Sequence, residues 1–217
     1  MYFLAHYYLR QSESSGFCFG NLLPDLVQGF TKVYNQKIVK STASLSEEEI
    51  HFHDGIITHY ADDRKFHLSD AFVKVSDMLT KGMVHAQLDR GRLRLSVIAH
   101  LLAEILFDRC LQECHPSLTQ NFYNMLENTL SLSLKHYFEK HQIASLYEVV
   151  CERRERMLQN RFLYQLNDSK VITDIISFLY AKITGINMTN SELFRIIEVI
   201  NQYYKSVKEW KNLLDDL

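Results

Sequence analysis

Leu93-Arg-Leu-Ser-Val-Ile-Ala-His100-Leu-Leu-Ala-Glu104-Ile-Leu-Phe-Asp108-Arg-Cys110-Leu-Gln-Glu-Cys114 decides the fold class. Ile98, Leu101, Leu102, Ile105 and Leu106 recur at three- and four-residue steps, the period of a helix rather than a strand. Nearly every other position is apolar too, so this reads as the central, most buried helix. Between Val97 and Asp108 the polar residues are His100, Glu104 and Asp108, each four residues after the last. On a helix they form one stripe. Burying carboxylates among apolar neighbours is costly unless they are paired or bind a metal. A buried ion pair with Arg109 or Arg64 is the alternative to a metal stripe.

The same period continues along the chain. Phe3, Leu4, Tyr7 and Tyr8 sit at helical spacing, and the segment stops near Ser12-Glu-Ser-Ser-Gly16. A short helix is expected over 21–30. Ser46-Glu-Glu-Glu49 is a capping box, in which the Ser hydroxyl accepts from the N3 amide and the Glu side chain reaches back. It opens a helix to about residue 63. Further helices are expected over 69–81, ended by Gly82, and over 93–114, 118–140, 145–160, 170–182 and 191–214. Thr189 with Glu192 forms a second capping box. Only 7 Gly and 2 Pro occur in 217 residues, which leaves few residues for tight hairpin turns. The expectation is a single all-α domain over 1–217, with eight or nine helices and no linker strong enough to divide it.

Composition excludes several classes. A net charge of −2 makes no general electrostatic case for nucleic acid. Four Cys in a chain of this length do not make a disulfide framework. Cys110 and Cys114, with His115 beside them, lack a second ligand pair and read as ordinary thiols. No targeting segment is seen, and no apolar stretch reaches the roughly 18 residues that span a bilayer. A soluble, cytoplasmic protein is expected, with no membrane partner.

Two further polar sets stand out. Asp25 follows Gly20-Asn-Leu-Leu-Pro24, and His59 precedes Asp63 by four residues, one face of a helix. His with Asp or Glu is a ligand set for borderline-to-hard divalent ions such as Mn, Fe or Zn. His51, His53, His67, His85, His136 and His141 read as ordinary, satisfied or half-exposed histidines. Asp62 reads as a solvated helix-end acid, although it or Asp108 can be assigned to orient a water. Arg90, Arg92 and Arg94 form a basic cluster before the central helix. Arg153, Arg154, Arg156 and Arg161 form another, interleaved with Glu152 and Glu155 as a mixed-sign surface.

Three motifs together resemble the acyl carrier protein phosphodiesterases. They are Met1-x-Phe3-Leu4-Ala5-His6, Gly20-Asn21-Leu22-Leu23-x-Asp25-x-x-x-Gly29 and Gly55-Ile56-x-x-His59-x-x-x-Asp63. The resemblance covers about the first 65 residues, continues more weakly to about 111, and is faint beyond. It implies an HD-domain-like helical fold and hydrolysis of the phosphodiester joining 4′-phosphopantetheine to a serine of holo-acyl carrier protein. It also implies a divalent ion, manganese. Carried over residue by residue, it gives Asp25 as a metal ligand or catalytic carboxylate and His59, Asp63, His100 and Glu104 as metal ligands; Asp108, a carboxylate outside that ligand set, is the candidate to orient the water as a second catalytic group. Arg90, Arg92 and Arg94 would then meet the acidic carrier protein. The chain departs from the family at Tyr60, where an Arg is common, at Lys65-Phe66-His67, where Phe-Thr-Asp is common, and at His100, where an acid is typical. The alternatives are an HD-like hydrolase of another phosphoester and a non-catalytic helical adaptor.

Overall fold

The computed structural model describes residues 3–27, 30–33, 38, 44–129 and 132–209, and all statements below concern these. They contain eleven α-helical segments, one short 3-10 helix and no strand, so the all-α expectation holds. Met1 and Gly29 of the quoted motifs, and the end of the last expected helix, lie outside the described residues. No described helix is long and apolar enough to cross a membrane.

The helices gather into two compact units. The first combines residues 3–64 with 116–162, and the second combines 65–115 with 163–209.

In the first unit, α1 (Phe3–Arg10) packs on α2 (Ser15–Leu26), with the single turn α3 (Phe30–Val33) after it. α4 begins here and spans Glu47–Leu68; α7 (Leu118–Asn128), α8 (Leu132–Lys140) and α9 (Ala144–Asn160) complete the unit. α2 is started by Ser14, whose side chain accepts from the Phe17 amide. α4 is started by the Ser46 capping box, with Glu49 Oε2 accepting from the Ser46 amide at 2.6 Å. Phe3 and Tyr7 meet Phe122, while Phe52 meets Phe19, Tyr137 and Phe138. Such aromatic pairs add roughly 0.5–1.5 kcal/mol each beyond their burial.

α2 and α4 approach each other closely at two glycines. A Cβ on Gly20 would sit 2.1 Å from the Phe52 carbonyl oxygen, and one on Gly55 would sit 2.1 Å from that of Phe17. Two facing glycines thus let backbone touch backbone. Two ties cross the contact: Asn21 Nδ2 donates to the Gly55 carbonyl at 3.4 Å, and His59 Nδ1 donates to the Asn21 carbonyl at 2.8 Å. Nearby, Arg10 grips Asp62 with two bonds, Nε to Oδ2 at 2.9 Å and Nη2 to Oδ1 at 2.6 Å. Asp62 is buried. The reading of Asp62 as a solvated acid is therefore corrected: it anchors α1 to α4 through a bidentate ion pair.

The second unit is built on α6 (Leu95–Cys114), which buries thirteen of its residues, as its sequence requires. α5 (Asp70–His85), α10 (Ser169–Thr184) and α11 (Asn190–Lys208) surround it. Gly82 does not end α5, which runs on to His85. Its bare Cα instead accommodates the Tyr203 ring, since a Cβ there would lie 2.6 Å from Tyr203 Cε2. The Thr189–Glu192 capping box forms as read and starts α11. The expected helix over 118–140 is two helices, α7 and α8. Thr129 ends α7, its hydroxyl turning back to the Met125 carbonyl. Arg154 Nε donates to the Leu126 carbonyl at 2.6 Å and Nη2 to that of Glu127 at 2.9 Å, which satisfies the freed end of that helix.

Gly20→Ala and Gly55→Ala should each destabilise the protein by about 2 kcal/mol or more in urea denaturation, because backbone cannot rotate away as a side chain can. Gly16→Ala is the contrast. Its added Cβ meets nothing closer than 4.0 Å, so it should be neutral or stabilise by up to about 1 kcal/mol. Equal losses at all three positions would refute the crossing.

Candidate metal centres

Four side chains meet at the α2–α4 crossing in the first unit. His6 comes from α1, Asp25 from α2, and His59 and Asp63 from one face of α4. Ligand atoms of His6, His59 and Asp63 all lie within 4.8 Å of one another. Asp25 joins them, with Oδ2 3.7 Å from His6 Nε2 and Oδ1 4.0 Å from His59 Nε2. The His6 and His59 rings stack at 4.3 Å.

The backbone prepares this group for a cation. A carbonyl can only accept, so the His59 Nδ1 that meets Asn21 O must carry the proton. In the neutral form of that ring the lone pair is on Nε2, which faces Asp25. That is the outer arrangement that orients a metal-binding imidazole. Burial, and next the charge of His59, push the His6 imidazole down to about 3, against the opposing pull of Asp25 and Asp63. At neutral pH His6 is therefore an uncharged imidazole. Asp25 Oδ2 is buried and has no hydrogen-bond partner among the described residues. A buried carboxylate oxygen left in this way fits a site built for a cation.

His100 and Glu104 belong to a second group, in the second unit. His67, from the last turn of α4, places Nε2 3.0 Å from Glu104 Oε1, and His100 places Nε2 3.2 Å from the same oxygen. The two imidazoles stack at 4.6 Å. Burial alone would raise the Glu104 carboxyl. Neighbouring positive charge and hydrogen bonds from His100 and His67 instead hold it well below the ordinary carboxylate range. Arg109, on the same helix, bonds Glu113 at 3.3 Å and lies 3.7 Å over the Tyr204 ring. Asp108 is buried on α6 but is in neither group of close-set ligand atoms.

Two residues of these groups lie outside the expected ligand set. His6 belongs to the first motif, and its signal is a histidine inside the apolar run of α1. His67, expected to be a satisfied or half-exposed histidine, is satisfied by Glu104 and stands beside His100. Its signal was the continuation of His59 and Asp63 by one further four-residue step along α4.

The basic cluster divides. Arg92 is ion-paired with Glu192 and donates to the Asn187 carbonyl, so it secures the start of α11. Arg90 and Arg94 are exposed. His53 is bonded to the Tyr137 hydroxyl at 2.8 Å and is in neither group.

The His6 imidazole gives a pH signature of the metal-free protein. Its folded value, about 3, lies below the unfolded value of 6.5, so the unfolded chain binds the extra proton between these limits. Stability is full above 6.5 and should fall on acidification, by roughly 1.4 kcal/mol per pH unit at most from this group. Between pH 6.5 and 5, denaturant titration of the wild type should lose more stability than His6→Gln. Parallel curves would show that His6 is not held neutral.

Comparison with family models, with curated proteins and with solved structures finds no match to this chain.

Proposed function

We propose that the chain is a divalent-metal-dependent phosphodiester hydrolase that uses manganese and removes 4′-phosphopantetheine from holo-acyl carrier protein. The observation that carries this reading is the meeting of His6, Asp25, His59 and Asp63, one or two from each of the three motifs that resemble the phosphodiesterases. Two imidazoles with two carboxylates make a donor set suited to a borderline-to-hard divalent ion. When bound, such an ion supplies an acidified water near neutral pH and offsets charge on phosphoryl oxygens.

The chain's own groups do the rest. The Asn21 carbonyl keeps the proton on His59 Nδ1 and so keeps Nε2 available. Burial keeps His6 neutral, so it does not compete for a proton. Asp25, with 22% of its side chain exposed, is a carboxylate that can take the proton of the attacking water. In the overall step a water oxygen bonds phosphorus, the bond from phosphorus to the serine oxygen breaks, and that oxygen leaves with a proton. Arg90 and Arg94 give an acidic protein substrate exposed cations to meet.

Mass spectrometry of holo-acyl carrier protein incubated with the Mn²⁺-loaded protein tests this directly. Conversion to the apo form is expected. Asp25→Ala and Asp63→Ala should each lower kcat by about a thousandfold or more, with the helical circular dichroism signal preserved. Arg94→Glu should raise KM several-fold, and the effect should shrink as salt is added, because steering is screened. Full turnover by the Asp25→Ala/Asp63→Ala double variant, or none by the metal-loaded wild type, would defeat the proposal.

A further inference from the structure

His67, His100 and Glu104 were expected either to be ordinary or to share an ion with Asp25, His59 and Asp63. Their own geometry suggests something else. Two imidazole Nε2 atoms, from separate helices, converge on one oxygen of one carboxylate at 3.0 and 3.2 Å. Ligand atoms at ~2.0–2.1 Å from a tetrahedral zinc are roughly 3.3 Å apart from one another. Two of the three ligand–ligand separations therefore already match edges of that tetrahedron, and all three ligand atoms lie within 4.8 Å of one another.

The surroundings keep them there. Glu104 is buried and fixed on α6, and His100 follows the same face one turn earlier. The Phe72 ring meets both imidazoles edge-on, at 4.7 Å from His67 and 5.0 Å from His100. Phe66 packs between Phe72 and Phe107, at 4.9 and 5.3 Å, and closes the apolar side. The histidine side stays open: His67 is 24% and His100 43% exposed. An ion can thus arrive from solvent while the apolar wall holds the rings. In the metal-free form each Nε2–H donates to Glu104; on binding, that hydrogen would pass through solvent from Nε2 to Nδ1, giving the other tautomer, which presents the Nε2 lone pair.

We propose that His67, His100 and Glu104 form a second metal site, contained in the second unit, that takes a zinc-class transition ion on two nitrogens and one oxygen. Nitrogen-rich sets favour zinc, iron(II) or cobalt(II) over the harder magnesium and calcium. The inference does not depend on phosphodiesterase activity, since its readout is metal content.

Chelator-stripped protein should be titrated with Zn²⁺ or Co²⁺, with bound metal counted after equilibrium dialysis. The wild type should hold two equivalents. Asp25→Ala/Asp63→Ala should lose one and keep the other. His100→Ala and His67→Ala should each weaken the retained equivalent at least tenfold, and His100→Ala removes a half-exposed ring whose packing contacts are Phe72 and His67. The Co²⁺ form of Asp25→Ala/Asp63→Ala should show the intense visible bands of a low-coordinate ion, displaced by Zn²⁺, which needs no histidine variant to fold. One equivalent lost equally in His100→Ala and Asp63→Ala would mean a single shared ion and overturn the proposal. So would metal content unchanged by either histidine substitution.

Discussion

The backbone contact between α2 and α4 is the constraint on which the first candidate centre depends. At an ordinary helix crossing, side chains separate the axes by 8–10 Å. Here Gly20 and Gly55 remove that spacer on both helices, and a methyl on either would overlap a carbonyl oxygen of the other. The gain is not only packing. At this separation a main-chain carbonyl of α2 comes within reach of an imidazole of α4, and the His59–Asn21 bond forms. With a bulkier pair the carbonyl would recede, and His59 would lose the partner that selects its tautomer. Pro24 adds to the local arrangement, because it has no N–H to give to the Gly20 carbonyl one turn before.

The two polar groups meet burial in different ways. In the first, desolvation wins over nearby carboxylates, so His6 is neutral and the group is two imidazoles facing two acids. In the second, hydrogen bonds and positive charge win over desolvation, so Glu104 is an anion held between two imidazoles. Both groups set imidazole nitrogens and carboxylate oxygens within 4.8 Å of one another. The Arg10–Asp62 pair shows what a finished structural ion pair looks like in this protein. It is bidentate, with bonds of 2.9 and 2.6 Å, and both carboxylate oxygens are satisfied. Asp25, with a buried oxygen that lacks a bond, is not of that kind.

Fold class was legible in the sequence because helical period and scarce turn formers point the same way in every segment. Both capping boxes were legible because the motif is local: four residues contain donor and acceptor alike. The break between α7 and α8 was not, since no Gly or Pro marks it and the cap at Thr129 is completed by Arg154 from another helix. Gly82 misled for the opposite reason. A glycine near a helix end suggests termination, but this one answers to Tyr203, 121 positions further along the chain. Site residues followed the same rule. The i,i+4 pairs His59/Asp63 and His100/Glu104 could be read from spacing. His6 and His67 had signals too, a histidine inside an apolar run and one further four-residue step after Asp63, but which group each joins is set by side chains on other helices.

Asp62 and Asp63 make the point at a single step of the chain. They are adjacent, alike in chemistry and on the same helix, yet one helical step rotates them by about 100°. That rotation turns Asp62 toward Arg10 and Asp63 toward His6 and His59. A deletion or insertion of one residue between Gly55 and His59 would carry the glycine, the histidine and both acids out of phase together. The contact that permits the site and the side chains that compose it therefore share one helical register. That coupling is why Gly55, His59 and Asp63 belong to one motif although only two of them carry chemistry.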